Sequence, residues 1–198
     1  MAVLVVGCGS SHPPLECPSD HPTKSSFEEV KTYDPYEVAG DHPNTFLANA
    51  RGARPFSVAD GSADAFGLTE SKLCLEWQLQ YDATSCRIAA VRLVHRVRIT
   101  LPKWKRPKDA RPAFVEWDEK MSATLASHEE GHYQIAASAA HALYERALTI
   151  TTAPTCDELD RQFAMFLKEA DTDLQRKNRE YDTVTKHGTV SGASPTTP

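Results

Sequence analysis

The chain has 198 residues, of which 40% are hydrophobic and 25% charged, and this suits one globular domain of ordinary size. Its net charge of -5 gives no basic surface of the kind that attracts nucleic acid or anionic membrane. No run approaches the roughly 18 to 20 apolar residues that cross a bilayer, so the body of the protein is expected to be soluble.

The first segment is a short apolar stretch that ends at Gly7 and Cys8 and passes into residues rich in Ser, Pro and His. It resembles the end of a bacterial lipoprotein signal, in which Cys8 carries a lipid that tethers the protein to a membrane. Its apolar part is about half the usual length, and a basic start is lacking. The alternative is an N-terminus without such a role. We assign residues 1–30 to this signal remnant and a flexible linker.

Five cysteines are an awkward number for an exported protein that pairs its thiols. Lipidation of Cys8 leaves four, and the sequence does not choose among the connectivities that four cysteines permit. The alternative is a cytosolic protein in which all five are reduced, small, buried residues.

Alternation of apolar and polar residues predicts a β-hairpin from two stretches, 73–81 and 89–101, joined by Asp-Ala-Thr-Ser. His95 lies on the apolar face, where a hydrogen-bonded core histidine is the simpler interpretation and a cleft residue the alternative. Residues 31–38 predict a weaker strand, and residues 41–52 a short helix.

Two long helices are predicted after the hairpin. Residues 114–150 contain no proline and only one glycine, and a second helix follows Pro154, where Thr155 and Glu158 have the spacing of a capping box. The predicted fold class is α+β, with a small antiparallel sheet packed on two long helices. Residues 31–193 are predicted to form this single domain, and residues 194–198 a disordered tail.

The first long helix carries the motif Ser-His-Glu-Glu-Gly-His-Tyr at residues 127–133. Residues four apart on a helix differ by about 40° around the axis, so His128 and His132 can bind one ion, for which zinc is suited. Glu129 lies about 100° from His128 and can act as general base on a metal-bound water. Gly131 costs about 1 kcal/mol relative to alanine, which predicts a close approach at this position. The alternative is a surface helix with polar pairs.

A third protein ligand has to come from elsewhere. His141 lies about 180° around the helix from His132, so it points away. The metzincin continuation is excluded because Ile135 and Ser138 stand where that subclass has glycine and histidine.

We predict His187 as the third ligand, because it follows the second helix and Gly188 permits a sharp turn there. Asp182 is the alternative, either as the ligand or as the hydrogen-bond partner of a ligating histidine. Glu180 is a further competitor.

In this order along the chain, the motifs resemble a bacterial domain-of-unknown-function family described as predicted secreted zinc-dependent proteases. The resemblance covers about residues 32–193. It rests on YEVAG, LEWQLQY, SCRIAAV, ITLPKW, HEEGH, PTCDEL and YDTVTKHG. It implies export, a zincin-like site at His128, Glu129 and His132, and a disulfide between Cys86 and Cys156.

The sequence therefore predicts a zinc-dependent metallohydrolase of the cell envelope, most of all a peptidase acting on a peptide or protein substrate. Glu129 takes the proton of the attacking water and passes it to the leaving amine. Tyr181 and Tyr133 are candidates to stabilise the oxyanion. The rival hypothesis is a non-catalytic envelope protein in which a closed zinc site with four protein ligands, or no metal, holds the helices together.

Overall fold

A computed structural model describes residues 2–6, 12–57 and 65–188, and for residues 2–6 it describes the backbone only. The predicted α+β class is confirmed, because one sheet packs against two long helices. A shorter helix and a separate two-stranded sheet pack near the start of the first long helix. The elements in chain order are β1 (Ala2–Val6), β2 (Ser26–Tyr33), β3 (Tyr36–Val38), α1 (Pro43–Ala53), β4 (Leu68–Asp82), β5 (Ser85–Thr100), β6 (Pro102–Trp104), α2 (Pro112–Thr149), β7 (Thr152–Ala153) and α3 (Cys156–Thr185).

The main sheet is mixed, which corrects the predicted antiparallel sheet. Its strand order is β1-β4-β5-β2, and β7 pairs with the start of β5. The predicted hairpin of β4 and β5 is present, but β2 lies parallel to β5. Parallel neighbours need a long connection, and the chain supplies one through β3, α1 and β4. Because β2 begins at Ser26, this strand starts inside the stretch assigned to the linker.

A β-bulge in β5 turns Cys86 toward the face of the sheet that packs on the helices. The register between the two hairpin strands shifts at Gln78 and Leu79, which makes Ala89 the extra residue. An extra residue reverses the phase of alternation along a strand. Ala89 is therefore exposed, although unbroken alternation from His95 predicts it on the apolar face, and Cys86 is buried. Cys86 is bonded to Cys156 at the first residue of α3, so this predicted disulfide is confirmed.

The main core lies between one face of the sheet and the two long helices. The contribution of α2 consists mostly of alanines, which let this helix approach the sheet closely, whereas α3 contributes large side chains. The buried residues of this core are Leu73, Leu75, Val91, Leu93, Ala136, Ala140, Leu143, Ala147, Phe163, Phe166, Leu167 and Leu174. Each large apolar side chain in it contributes about 1.5–3 kcal/mol by leaving water.

Residues 12–25 cover the other, more polar face of the sheet. A disulfide joins Cys17 to Cys74 of β4, and Asp20 forms an ion pair with Arg92 of β5. These bonds fix a segment that the sequence analysis assigned to a flexible linker, and they are the physical reason for that correction.

Some predicted features of the two ends lie outside the described residues. They are Cys8, the predicted lipidation site, and the tail at 194–198. Within the described part of the chain, no helix combines the length and the apolar character needed to cross a membrane.

Candidate metal centre

The two histidines of the HEEGH motif converge on the side of α2 that faces α3. His128 is buried and His132 is partly buried. Their Nε2 atoms lie 3.2 Å apart, and their ring centroids 4.7 Å apart. The helix therefore presents two imidazole nitrogens to the same point, as the four-residue spacing predicts.

Asp182 of α3 brings a third ligand atom to this point. Its Oδ1 lies 2.9 Å from Nε2 of His132 and 3.3 Å from Nε2 of His128. Within the described ranges, these three residues are the group of His, Cys, Asp or Glu that could hold a metal ion. A tetrahedral zinc site with bonds of about 2.0–2.1 Å has ligand atoms about 3.3 Å apart. The three residues therefore fit a zinc ion without a change of fold.

Hydrogen bonds from α3 direct both Nε2 lone pairs toward this point. Nδ1–H of His132 donates to Oδ1 of Asn178 at 2.9 Å. The hydroxyl of Thr185 donates to the carbonyl of Tyr181 at 2.7 Å, so it accepts from Nδ1–H of His128 at 3.2 Å. Ligating histidines characteristically have a partner on the other ring nitrogen, because that bond fixes the tautomer and the ring orientation.

The charges of the group also suit a cation. Burial alone would raise the pKa of Asp182, but hydrogen bonds with His128 and His132 outweigh it and hold this pKa well below its usual range. Burial acts to lower the pKa of His132, but the bonds to Asp182 and Asn178 outweigh it and raise this pKa. Since a proton and a metal ion compete for Nε2 of His132, metal binding must weaken as the pH falls.

Glu129 projects from the side of α2 next to the two histidines and lies against the start of β4. Its side chain is 3% exposed, and the hydroxyl of Thr69 donates to its Oε2 at 2.7 Å. A Cβ at Gly67 would lie 2.5 Å from its Oε1. Burial raises the pKa of Glu129, against the opposing effects of His132 and the Thr69 hydrogen bond. A raised pKa brings a carboxylate closer to the range in which it exchanges protons near neutral pH.

Gly131 makes room for Tyr181 of α3. A Cβ at this glycine would lie 2.0 Å from Oη of Tyr181 and 2.3 Å from its Cζ. The tyrosine ring is stacked on His128, with centroids 5.1 Å apart, and meets the edge of His132 at 5.0 Å. The close approach predicted at this glycine is therefore that of an aromatic side chain from the neighbouring helix.

His187 lies beside the centre and contacts Asp182. Lys186, His187 and Gly188 form a left-handed turn with φ of 49°, 53° and 79°. The N–H of His187 donates to the carbonyl of Asp182 at 3.1 Å, and its Nδ1 lies 3.5 Å from Oδ1 of the same residue. The turn thus brings His187 back toward the site, as predicted. The geometry favours Asp182, the alternative, over His187 as the third ligand.

His95 and Tyr133 belong to a separate polar cluster between the sheet and α2. Nε2 of His95 lies 3.0 Å from Oγ of Ser71, and its Nδ1 lies 2.9 Å from Glu29. The simpler interpretation of His95, a hydrogen-bonded core histidine, is therefore confirmed. Tyr133 donates to the same glutamate at 2.5 Å, which directs its hydroxyl away from the metal centre.

The two remaining candidates also lie elsewhere. His141 stacks on Phe27 of β2 with centroids 4.2 Å apart, which agrees with its predicted direction. Glu180 forms an ion pair with Arg176 on the exposed side of α3.

The supporting residues of the site were not predicted from the sequence. Asn178 and Thr185 have a signal that could have found them, because with Asp182 they fall at positions i, i+4 and i+7 of one helical face. Gly67 and Thr69 have no such signal, since only tertiary structure brings them to Glu129.

A family of bacterial proteins of unknown function, DUF922, matches residues 33–188. The chain belongs to this family. The matched residues include all those of the metal centre, so the site is part of the family's own domain. Neither the curated proteins nor the solved structures give a significant match. Membership of this family implies no activity, and any function has to be argued from the geometry of the site.

Proposed function

We propose that the protein is a zinc-dependent metallohydrolase and, within that class, a peptidase. The observation that carries this proposal is the convergence of His128, His132 and Asp182 beside a buried carboxylate, Glu129, that takes no part in the convergence. Two imidazoles and one carboxylate are a common ligand set of catalytic zinc. The spacing of the HEEGH motif agrees with it.

The number of ligands favours an enzyme over a structural zinc site. A structural zinc is closed by four protein ligands, whereas a catalytic zinc has three and an open fourth position. Within the part of the chain that the structure describes, the group has three members. His187 contacts Asp182 and does not converge with the two Nε2 atoms.

A zinc ion held at this site would supply Lewis acidity for the scissile carbonyl and the attacking water. His128, His132 and Asp182 would hold it, and Asn178 and Thr185 fix the two imidazoles. Glu129 accepts the proton of the attacking water and donates it to the leaving amine, a role for which its raised pKa is suited.

Tyr181 is the candidate that stabilises the oxyanion. Its hydroxyl lies next to Gly131, and Gly131 and Glu129 are about 160° apart around the axis of α2. The base and the phenol therefore flank the histidine pair from opposite sides. Such an arrangement suits a carbonyl whose carbon faces the base and whose oxygen faces a hydrogen-bond donor.

We further propose that the protein works in the cell envelope, secreted or periplasmic. The two disulfides, Cys17–Cys74 and Cys86–Cys156, support this, because such bonds persist in oxidising compartments. A lipid on Cys8 is the proposed anchor, and mass analysis of the envelope protein tests it: an unmodified Cys8 would remove the anchor from the proposal.

The test of the enzymatic proposal is metal analysis of the purified protein, followed by a peptide-library screen with and without chelator. We expect about one zinc per chain, with cleavage that chelator abolishes. Glu129→Gln should keep the metal and lose about 10²- to 10⁴-fold in kcat, because it removes a base and no ligand. Full activity in this variant would refute the mechanism, and full kcat in Tyr181→Phe would refute the oxyanion role alone.

A further inference from the structure

The carboxylate of Glu129 lies in a seat formed by Gly67 and Thr69. Oγ1 of Thr69 donates to Oε2 at 2.7 Å, and it also lies 3.0 Å from the backbone carbonyl of Glu129. On the other side, the carboxylate packs directly on Gly67, where a Cβ would lie 2.5 Å from Oε1 and 2.9 Å from Cδ. One residue supplies a donor, and the other supplies the space.

Thr69, the hydrogen-bond donor to the carboxylate, belongs to a strand of the main sheet. Thr69 is the second residue of β4 and pairs with Ile99 of β5. Glu129, in contrast, reaches the seat through a flexible side chain on α2. The strand therefore determines where this carboxylate lies, because the helix fixes only the position of its Cα.

If the carboxylate of Glu129 loses its place between Gly67 and Thr69, the proposed zinc ion is its alternative partner. A buried carboxylate that loses its hydrogen-bond donor is strongly destabilised unless it finds a new one. Carboxylate oxygens are themselves zinc ligands, and Glu129 directly follows the ligand His128. A released carboxylate can therefore become a fourth ligand, which converts an open site into a closed one.

We propose that Thr69 is a positioning residue that keeps Glu129 a base and prevents it from becoming a metal ligand, and that Gly67 serves the same end by leaving space for the carboxylate. The inference rests on the proposed zinc site, and it adds the determinant that separates a catalytic from a structural form of that site.

The test measures zinc affinity, by competition with a chromophoric chelator, together with peptidase activity. Thr69→Val preserves the shape of the side chain and removes the donor. We expect it to bind zinc about 10-fold more tightly than the parent and to lose about 10- to 100-fold in activity, because a fourth ligand is gained and the base is lost. Thr69→Ser restores the hydroxyl and should return both values to the parent's.

A double variant separates positioning from a general structural effect. Thr69→Val with Glu129→Gln should bind zinc as Glu129→Gln alone does, because the carboxylate that closes the site is gone. The matched control is Thr32→Val, since Thr32 donates to the carbonyl of Val97 in the same sheet, away from the centre. This control should leave zinc affinity and activity unchanged.

Gly67→Ala provides a second route if Thr69→Val fails to fold, because the added Cβ displaces the carboxylate from the seat. It should also tighten zinc binding, and only while Glu129 is present. Zinc affinity equal to the parent's in both variants would overturn the inference. An equal change in zinc affinity with and without the Glu129 carboxylate would overturn it as well. Because zinc affinity needs no turnover, these outcomes remain decisive if no peptide is cleaved.

Discussion

Each histidine of the metal centre depends on a residue of α3 that is not itself a ligand. Asn178 binds Nδ1 of His132, and Thr185 binds Nδ1 of His128. Loss of such a partner typically weakens metal binding about 10- to 100-fold, because the ring loses its tautomer and its orientation. Both helices therefore form the candidate centre. α3 contributes one proposed ligand and also the two residues that orient the histidines of α2.

The identity of the third ligand gives a prediction at the scale of single residues. Asp182→Ala should weaken zinc binding by about 100-fold or more, since it removes a ligand atom that lies 2.9 Å from Nε2 of His132. His187→Ala should weaken it by less than about 10-fold, because this imidazole lies 3.5 Å from the Asp182 carboxylate and is not part of the three-residue group. Competition with a chelator measures both. A larger loss in His187→Ala would restore the assignment made from sequence.

The difference between these two residues shows which parts of the site a sequence can predict. His128, Glu129 and His132 follow from the period of one helix, which is local. The choice between Asp182 and His187 depends on how α3 ends. A left-handed turn at residues 186–188 brings the imidazole back toward the carboxylate. Which of the two groups reaches the histidines depends on how α3 packs on α2, which the sequence does not show.

At the scale of elements, the contact between α2 and α3 depends on Gly131. Tyr181 occupies the space that a side chain at this position would need. Its ring also covers His128, so the same contact packs the two helices and shields one face of a ligand. The cost of a glycine inside a helix is offset by this packing.

A matched pair of substitutions tests this contact. Gly52→Ala in α1 meets nothing within 4 Å and should stabilise the metal-free protein by up to about 1 kcal/mol through helix propensity. Gly131→Ala gains the same propensity but forces Tyr181 away, so we expect a net loss of about 1–3 kcal/mol. In a Tyr181→Ala background the second substitution should become stabilising. Urea unfolding measures each case, and a stabilising Gly131→Ala in the parent would contradict the packing role.

The fold was predictable where the pattern is regular and local. The hairpin follows from the alternation of its residues and the first long helix from its lack of prolines, and Thr155 caps α3 as its spacing with Glu158 predicts. The parallel β2 was not predictable, because its residues carry charges without a period of two and its partner lies about 65 residues further along. The bulge at Ala89 was hidden because alanine fits either face of a strand.

At the scale of the whole molecule, α3 is held at both ends. The disulfide at Cys156 ties its first residue to β5, and Asp182 in its last turn contacts His132 of α2. These two points are about 39 Å apart along the helix axis. The second disulfide, Cys17–Cys74, lies on the other face of the sheet and holds the segment of residues 12–25 there.

This separation predicts that stability and metal binding respond differently to loss of the disulfides. The bonds close loops of 70 and 57 residues, so replacing either pair with alanines should lower the free energy of unfolding by about 4 kcal/mol in the chain-entropy model. Zinc affinity of the folded variants should stay within about threefold of the parent, because none of the four bonded cysteines belongs to the metal group. Denaturant unfolding of the non-reduced proteins and chelator competition measure the two quantities.

Added zinc should stabilise the parent and both variants equally. At about 100 times its Kd, zinc should raise the free energy of unfolding of each protein by about 2.7 kcal/mol, because binding stabilises by mass action alone. If the Cys86→Ala/Cys156→Ala protein folds but loses zinc, the far end of α3 positions Asp182 after all, and the two anchors are not independent.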